Sequence, residues 1–262
     1  MKRLINISVG CIIALVFLNA SGCENKKAPQ PEQQPVSVIE QPVEKPQPYA
    51  EALKILPDLA KVKIATKYGD MIVALYNETP LHRDNFLTLA SEKYYDGLLF
   101  HRCINHFMIQ GGDPQSRGAS PSAMLGNGGP GYTVPAEFRS NLIHKRGALC
   151  AARQGDQVNP KKESSGSQFY IVQGQLWTDM QLSQIETNIG STMPGFKYTE
   201  EQKQLYKTIG GTAQLDMNYS VYGEVILGLN VIDSIASLRG NQANRPLSDV
   251  VMNMEVIQKD HK

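Results

Sequence analysis

The stretch FHRCINHFMIQGGD, residues 100–113, decides both the fold and the candidate site of this 262-residue chain. It predicts two short strands: Arg102 lies on the first, and Phe107, Met108 and Gln110 come from the second. Because side chains alternate between the two faces of a strand, Met108 and Gln110 share one face. The stretch therefore predicts an arginine and a glutamine beside an apolar surface of Phe and Met.

Three later segments extend this stretch into a family pattern. They are GNGGPGYTVPAEF (126–138), GSQFYI (166–171) and LDMNYSVYGEV (215–225). Together the four segments resemble the cyclophilin family of peptidyl-prolyl cis-trans isomerases, over residues 61–258 apart from an insertion at about 174–213. The resemblance implies a mainly β fold, a cyclophilin-like closed eight-stranded antiparallel β-barrel with two capping helices, to which this chain adds a helical insertion.

The resemblance also implies roles for nine residues. Arg102 falls on the catalytic arginine, and Gln110 would orient this arginine or a substrate carbonyl. The substrate-binding positions are Phe107, Met108, Ala152, Arg153, Tyr170, Leu215 and Tyr219. Arg153 stands where eukaryotic members carry Asn, at a position that binds substrate largely through its backbone. Tyr170 replaces the usual Phe in the floor of the proline pocket, and we expect activity to survive because the ring is kept.

The apolar pattern gives a coarse secondary structure. Alternation predicts a hairpin from Lys61–Thr66 and Met71–Tyr76. Thr79 as N-cap and Pro80 at the first helical position predict a helix that ends near Ser91. Further strands are predicted at Leu98–Arg102, Phe107–Gln110, Ala148–Ala151, Phe169–Val172, Ser220–Val225 and Val250–Ile257, and a second helix at Gly228–Leu238. Strands along the whole chain, with one helix early and one late, favour a closed barrel with helical plugs.

The insertion at about 174–213 interrupts this pattern. Two T-x-x-Q sequences, which are typical of a capping box, begin at Thr178 and Thr199 and predict two short helices. The insertion also holds Trp177, the only tryptophan. Gln214 stands where some cyclophilins carry Trp, so Trp177 is a candidate for a displaced counterpart. The insertion either docks a partner or is merely structural.

Charge and composition exclude several function classes. The formal net charge is +1, and no basic run carries interleaved aromatic residues, so we expect no nucleic-acid binding. The GNGGPG sequence at 126–131 matches a dinucleotide motif, but no helix follows it, which favours a tight glycine loop. The histidines are scattered and no C-x-x-C motif occurs, so we expect no metal site. Cys103 and Cys150 are either separate core residues, which we favour, or a pair in an oxidising compartment.

Residues 1–22 have the layout of a secretory signal peptide. Lys2 and Arg3 precede a largely apolar stretch from Leu4 to Leu18, and small residues follow. The sequence Ala-Ser-Gly-Cys that ends at Cys23 resembles a bacterial lipobox, which implies a lipid on Cys23 and cleavage just before it. An ordinary cleaved signal and an uncleaved anchor are the alternatives.

A Pro- and Gln-rich segment follows the predicted anchor. Residues 24–48 contain six of the 15 prolines, five glutamines and no aromatic residue. A segment of this composition cannot bury a core and is predicted to be an extended tether. We therefore divide the chain into a signal peptide (1–22), a lipidated cysteine with its tether (23–59) and an isomerase domain (60–258).

These features predict a lipid-anchored isomerase of the bacterial cell envelope that faces the periplasm. It would rotate X-Pro bonds in exported or envelope proteins without a cofactor or a covalent intermediate, and would act as a monomer on proline-containing polypeptides. The alternative is a non-catalytic peptide-binding or holdase module on the same scaffold.

Overall fold

Eleven strands and five α-helices form the part of the chain that the computed structural model describes, residues 49–259. The helices are α1 (Ala50–Lys54), α2 (Pro80–Ser91), α3 (Asp179–Gly190), α4 (Glu200–Thr208) and α5 (Leu229–Ala236). The strands are β1 (Lys61–Thr66), β2 (Gly69–Leu75), β3 (Leu98–Leu99), β4 (Arg102–Ile104), β5 (Met108–Gly111), β6 (Thr133–Val134), β7 (Ala148–Ala151), β8 (Ser164–Ser165), β9 (Phe169–Val172), β10 (Val221–Leu227) and β11 (Val251–Gln258).

Nine of these strands form one curled antiparallel sheet. Its order is β3-β11-β1-β2-β10-β7-β9-β5-β4, and β6 pairs separately with β8. The end strands β3 and β4 are separated in sequence only by Phe100 and His101, and no ladder joins them within residues 49–259. The mainly β prediction is confirmed, but the closed eight-stranded barrel is not. The predicted strand Leu98–Arg102 breaks, because Leu98–Leu99 pairs with β11 whereas Arg102 pairs with β5.

The predicted hairpin and the two plug helices are present. β1 pairs with β2 so that Thr66 lies opposite Gly69, whose φ of +124° favours glycine in this tight turn. Val62 and Ile64 on β1 are fully buried. Helix α2 packs on β10 and β11, and α5 packs on β2, β4 and β5. The core of the domain therefore lies between the inner face of the sheet and these two helices.

The N-terminus of α2 is capped by a residue that the sequence analysis did not single out. Thr79 occupies the N-cap position, but its side chain makes no capping hydrogen bond. Instead the Glu137 carboxylate accepts hydrogen bonds from the backbone N–H groups of Leu81 (3.2 Å) and His82 (3.0 Å). A carboxylate at this end also complements the positive end of the helix dipole.

The insertion forms the two predicted helices. Thr178 is the N-cap of α3 and Thr199 is the N-cap of α4, and both make the reciprocal side-chain bonds of a capping box. The insertion supplies Leu182, Tyr198, Tyr206 and Ala213 to a small apolar cluster that also contains Ile143 from outside the insertion. It is therefore packed as an ordered part of the domain.

Residues 49–59 are partly helical. The segment predicted to be a tether reached residue 59, whereas α1 lies at Ala50–Lys54 and buries Ala52. The signal peptide, Cys23 and residues 24–48 lie outside the described residues. Within residues 49–259, no helix is long and apolar enough to cross a membrane.

Candidate active site

A cavity of about 110 Å³ is lined by the nine residues to which the resemblance assigns catalytic or substrate-binding roles. The residues that line it are Arg102, Phe107, Met108, Gln110, Ala152, Arg153, Tyr170, Leu215 and Tyr219. They come from β4, β5, β9, the turn between β4 and β5, which holds Phe107, and the segments that follow β7 and precede β10. Trp177 and Gln214 do not line the cavity. Trp177 instead donates from its indole nitrogen to the Gly211 carbonyl (2.9 Å).

Strand pairing sets the positions of the polar residues. Arg102 on β4 lies opposite Gln110 on β5, and Gln110 in turn lies opposite Tyr170 on β9. Arg102 Nη1 donates a hydrogen bond to Gln110 Oε1 (3.2 Å). Gln110 Nε2 donates to Gln168 Oε1 (3.1 Å), and Gln168 Nε2 donates to the Gly128 carbonyl (2.7 Å). This chain of bonds fixes the Gln110 amide so that its oxygen faces the guanidinium.

The guanidinium of Arg102 lies at an apolar surface. Its central carbon is 6.0 Å from the centroid of the Phe107 ring. Burial lowers the pKa of Arg102, although an arginine remains protonated at any relevant pH. The protein therefore presents a partly buried positive hydrogen-bond donor, and a charged hydrogen bond is stronger there than in bulk solvent.

Apolar side chains form the floor and walls of the cavity. Met108 and Tyr170 are buried, and Phe107 and Leu215 are half-buried at its edge. The Tyr170 ring meets the Tyr219 ring edge-on, with centroids 5.9 Å apart. A small, rigid aliphatic ring is the kind of group that such a pocket can hold.

The rim offers backbone hydrogen-bonding groups at one position. The Ala152 N–H donates to the Gln168 carbonyl (3.0 Å), and the Ala152 carbonyl accepts from the Ser165 N–H (2.8 Å). The backbone N–H and carbonyl of Arg153 have no partner among residues 49–259. Arg153, rather than Ala152, therefore has both backbone groups available to a peptide. The Arg153 guanidinium donates from Nε to the Asn218 carbonyl (2.8 Å) and lies over the face of the Tyr219 ring, so these contacts fix the side chain.

A longer cleft continues from the cavity. It has a volume of about 910 Å³, shares Gln110, Ala152 and Arg153 with the cavity, and runs along the glycine loop that begins at Gly126. The loop interpretation of the GNGGPG sequence agrees with this placement. The cleft is much larger than the cavity, so it has room for residues that flank a bound proline.

Sequence reasoning missed two buried histidine–carboxylate pairs. His82 Nδ1 lies 2.7 Å from Glu137, and His144 Nδ1 lies 2.6 Å from Asp216. The histidines looked scattered because the members of each pair lie 55 and 72 residues apart. Among residues 49–259, no group of three or more His, Cys, Asp or Glu is placed to hold a metal ion. Cys103 and Cys150 are buried free thiols.

Comparison with known proteins assigns the class. The family model "Cyclophilin type peptidyl-prolyl cis-trans isomerase/CLD" matches residues 61–256. A protein of Staphylococcus aureus (strain USA300), assigned as a peptidyl-prolyl cis-trans isomerase, is 35% identical over 193 residues, which are 73% of this chain and 88% of the relative. A Streptococcus pyogenes protein assigned as a bifunctional phosphatase/peptidyl-prolyl isomerase is also 35% identical, over 37% of its length and 73% of this chain.

A solved structure has the same fold. The crystal structure of a cyclophilin-type isomerase from Cryptosporidium parvum matches with a TM-score of 0.55 and 23% identity, and the match covers 77% of this chain and 99% of that one. A second structure of that protein, in the presence of the dipeptide Ala-Pro, matches with a TM-score of 0.54, over 76% and 99% of the two chains at 23% identity. The chain belongs to the family of cyclophilin-type peptidyl-prolyl cis-trans isomerases, and its enzyme class is that of the family.

Proposed function

We propose that the cavity catalyses rotation about X-Pro bonds by binding the twisted amide more tightly than either planar isomer. The pyrrolidine ring would lie on Met108 and Tyr170, between Phe107 and Leu215. As the amide twists, resonance is lost and the prolyl nitrogen becomes pyramidal and gains a lone pair. Arg102 would donate a hydrogen bond to this nitrogen, an interaction that exists only in the twisted state.

The height of the rotation barrier can be compared with the stabilisation that Arg102 and the pocket would supply. The barrier to rotation about a peptide bond is about 18–20 kcal/mol. An acceleration of about a million-fold requires that roughly 8 kcal/mol of this barrier be removed. A hydrogen bond to a charged group is worth about 1.5–3 kcal/mol, and removal of water from the apolar pocket would supply a further part. Gln110 would contribute by holding Arg102 in place before the substrate binds.

The observation that carries this proposal is the pairing of a fixed guanidinium with an apolar pocket of the size of one ring. The test is the cis-to-trans exchange of a short X-Pro peptide, measured by NMR exchange spectroscopy with the wild-type protein and with Gln110→Ala. We expect fast exchange with the wild type and a drop of about 10-fold in the variant. Peptide binding without faster exchange would instead favour the non-catalytic peptide-binding module.

We propose further that the enzyme works at a bacterial membrane on exported proteins. The support is the signal-like sequence of residues 1–22, the lipobox-like residues before Cys23 and the Pro-rich composition of residues 24–48. A lipid on Cys23 would anchor the chain, and the tether would hold the isomerase domain away from the bilayer.

Labelling of cells with radioactive palmitate tests the anchor. Label is expected in the wild type and in Cys11→Ser, since Cys11 lies in the part that would be removed, and its loss is expected in Cys23→Ser. Equal labelling of the two variants would contradict the proposal, and no label in any of the three would leave an ordinary signal peptide or an uncleaved anchor.

A further inference from the structure

A buried chain of hydrogen bonds joins the floor of the cavity to the insertion. The Tyr170 hydroxyl lies 3.0 Å from His144 Nε2, and His144 Nδ1 lies 2.6 Å from Asp216 Oδ1. The hydroxyls of Tyr198 and Tyr206, at 2.6 and 2.5 Å, both donate to Asp216 Oδ2. Tyr198 and Tyr206 belong to the insertion, whereas Tyr170 lines the cavity.

The hydrogen bonds of this network converge on the Asp216 carboxylate from both sides. Asp216 Oδ1 also accepts from the His144 backbone N–H (2.8 Å), so this carboxylate receives four hydrogen bonds. A carboxylate that accepts these bonds faces a proton on Nδ1 of His144. In the neutral tautomer that carries this proton, Nε2 is an acceptor and the Tyr170 hydroxyl donates to it. Every polar group of the chain has a partner, which is the condition under which a buried polar network specifies one arrangement.

The network is shielded from water along its whole length. None of its five residues is more than 4% exposed, and His144 and Tyr206 are fully buried. The rings also pack on one another: His144 stacks on Tyr170 at 6.1 Å, and Tyr198 meets Tyr206 edge-on at 5.6 Å. Loss of one hydroxyl would leave Asp216 with one donor fewer in a place that water does not reach.

The backbone repeats the same connection. The Thr212 N–H at the end of the insertion donates to the His144 carbonyl (2.8 Å), and Gly211 bridges to Lys145. Leu215, which lines the cavity, directly precedes Asp216. The insertion is thus connected to two residues of the cavity. Side-chain hydrogen bonds connect it to Tyr170, and the polypeptide backbone connects it to Leu215.

We propose that Tyr198 and Tyr206 of the insertion, acting through Asp216 and His144, are positioning residues that hold the Tyr170 ring in the floor of the isomerase pocket. This inference rests on the proposed function and adds a task for the insertion. The resemblance places Tyr170 at a position that is usually Phe, and a Phe, which has no hydroxyl, could not join this hydrogen-bond network. In this protein the hydroxyl allows the insertion to control how well the twisted prolyl ring is bound.

A double-mutant cycle tests the proposal with the full chain. The pair Tyr198→Phe and Tyr206→Phe is introduced into the wild type and into Tyr170→Phe, and kcat/KM for an X-Pro peptide is measured. In the wild type we expect a loss of about 3- to 10-fold, whereas in the Tyr170→Phe background the pair should change kcat/KM by less than about 2-fold. Equal fold-changes in both backgrounds would overturn the proposal, because an insertion that merely stabilises the domain acts on both alike.

Tyr95→Phe is the matched control. Tyr95 is buried, and its hydroxyl donates to the Ser167 carbonyl (3.3 Å) without a link to His144. We expect this substitution to have the same effect with and without Tyr170→Phe. If the double substitution prevents folding, as judged by circular dichroism, Tyr198→Phe alone removes one of the two donors and carries the same cycle.

A second readout does not depend on turnover. Nitrogen NMR of His144 in the wild type should show the proton on Nδ1 and Nε2 as an acceptor, and Tyr170→Phe should shift the Nε2 resonance. A proton on Nε2 in the wild type would overturn the proposed direction of the chain. If the wild type does not catalyse exchange, the proposed function is wrong. If the wild type is active but the substitutions have additive effects on kcat/KM, only this inference is wrong.

Discussion

Acid should destabilise the protein through His101, which lies between β3 and β4. The ring is 4% exposed, and neither of its nitrogens has a hydrogen-bond partner within residues 49–259. Burial lowers the pKa of His101 from 6.5 to about 4. The loss of hydration on burial is the largest cause, and Arg102 and Arg245 lower the pKa further, whereas Asp113 and the Leu99 backbone raise it by less.

The magnitude follows from the two pKa values. The unfolded chain takes up a proton at His101 below pH 6.5, whereas the folded protein does so only near pH 4. The unfolded state therefore binds more protons between these values, and the stability falls as the pH falls. Each unit of difference is worth about 1.36 kcal/mol. Between pH 7.5 and pH 4.5, His101 alone should lower the free energy of unfolding by about 2.5 kcal/mol.

The assay is urea unfolding of the wild type and of His101→Gln at several pH values between 7.5 and 4.5. Burial also lowers the pKa of His82, which contributes to acid sensitivity in both proteins. The difference between the two proteins isolates His101. We expect the variant to lose about 2.5 kcal/mol less than the wild type over this interval. Losses that agree within about 0.5 kcal/mol would refute the reasoning.

Two further predictions concern the cap of α2 and the thiols. Glu137→Gln should lower the free energy of unfolding by about 1–3 kcal/mol, because the carboxylate accepts hydrogen bonds from the first turn of the helix and from the His82 ring. In the same urea titration, Thr79→Ala should have a much smaller effect. Equal losses in the two variants would show that the cap is misassigned. Cys103 and Cys150 should resist a thiol reagent at pH 8 until the protein unfolds, since burial raises the pKa of Cys103 to about 12 and that of Cys150 well above its usual value; rapid reaction of the folded protein would contradict their burial.

Local patterns predicted the elements whose causes are local. The two capping boxes need only four consecutive residues each, and both form as the sequence indicated. The strands Ala148–Ala151 and Phe169–Val172 have the predicted bounds, because short apolar runs between loops have one favourable way to be buried. Thr79 shows the limit of such rules: it has the residue type of an N-cap, but Glu137, more than 50 residues later, takes the hydrogen bonds.

The site was predictable to the extent that it follows from a motif. The sequence placed Arg102 and Gln110 beside the same apolar surface and left Gln110 to orient either the arginine or a substrate carbonyl; the strand register sets the two residues opposite each other. The network behind Tyr170 has no such spacing. His144 and Asp216 meet where the end of the insertion pairs with residues 144–145, and Tyr206 reaches the same carboxylate from a helix. The partners of a buried hydroxyl depend on three distant segments, and no pattern within one segment identifies them.

The role of Arg102 is the central claim of this account, and it can be tested most directly with two substitutions measured in one assay. Arg102→Ala and Arg102→Lys are compared with the wild type for cis-to-trans exchange of an X-Pro peptide, and peptide affinity is measured alongside. We predict that Arg102→Ala lowers kcat by at least about 100-fold, the order expected for a lost charged donor in a water-poor site. Arg102→Lys, which keeps the charge but not the fork that Gln110 holds, should fall between the two. Exchange that remains within about 2-fold of the wild type in Arg102→Ala, with peptide affinity unchanged, would contradict the claim.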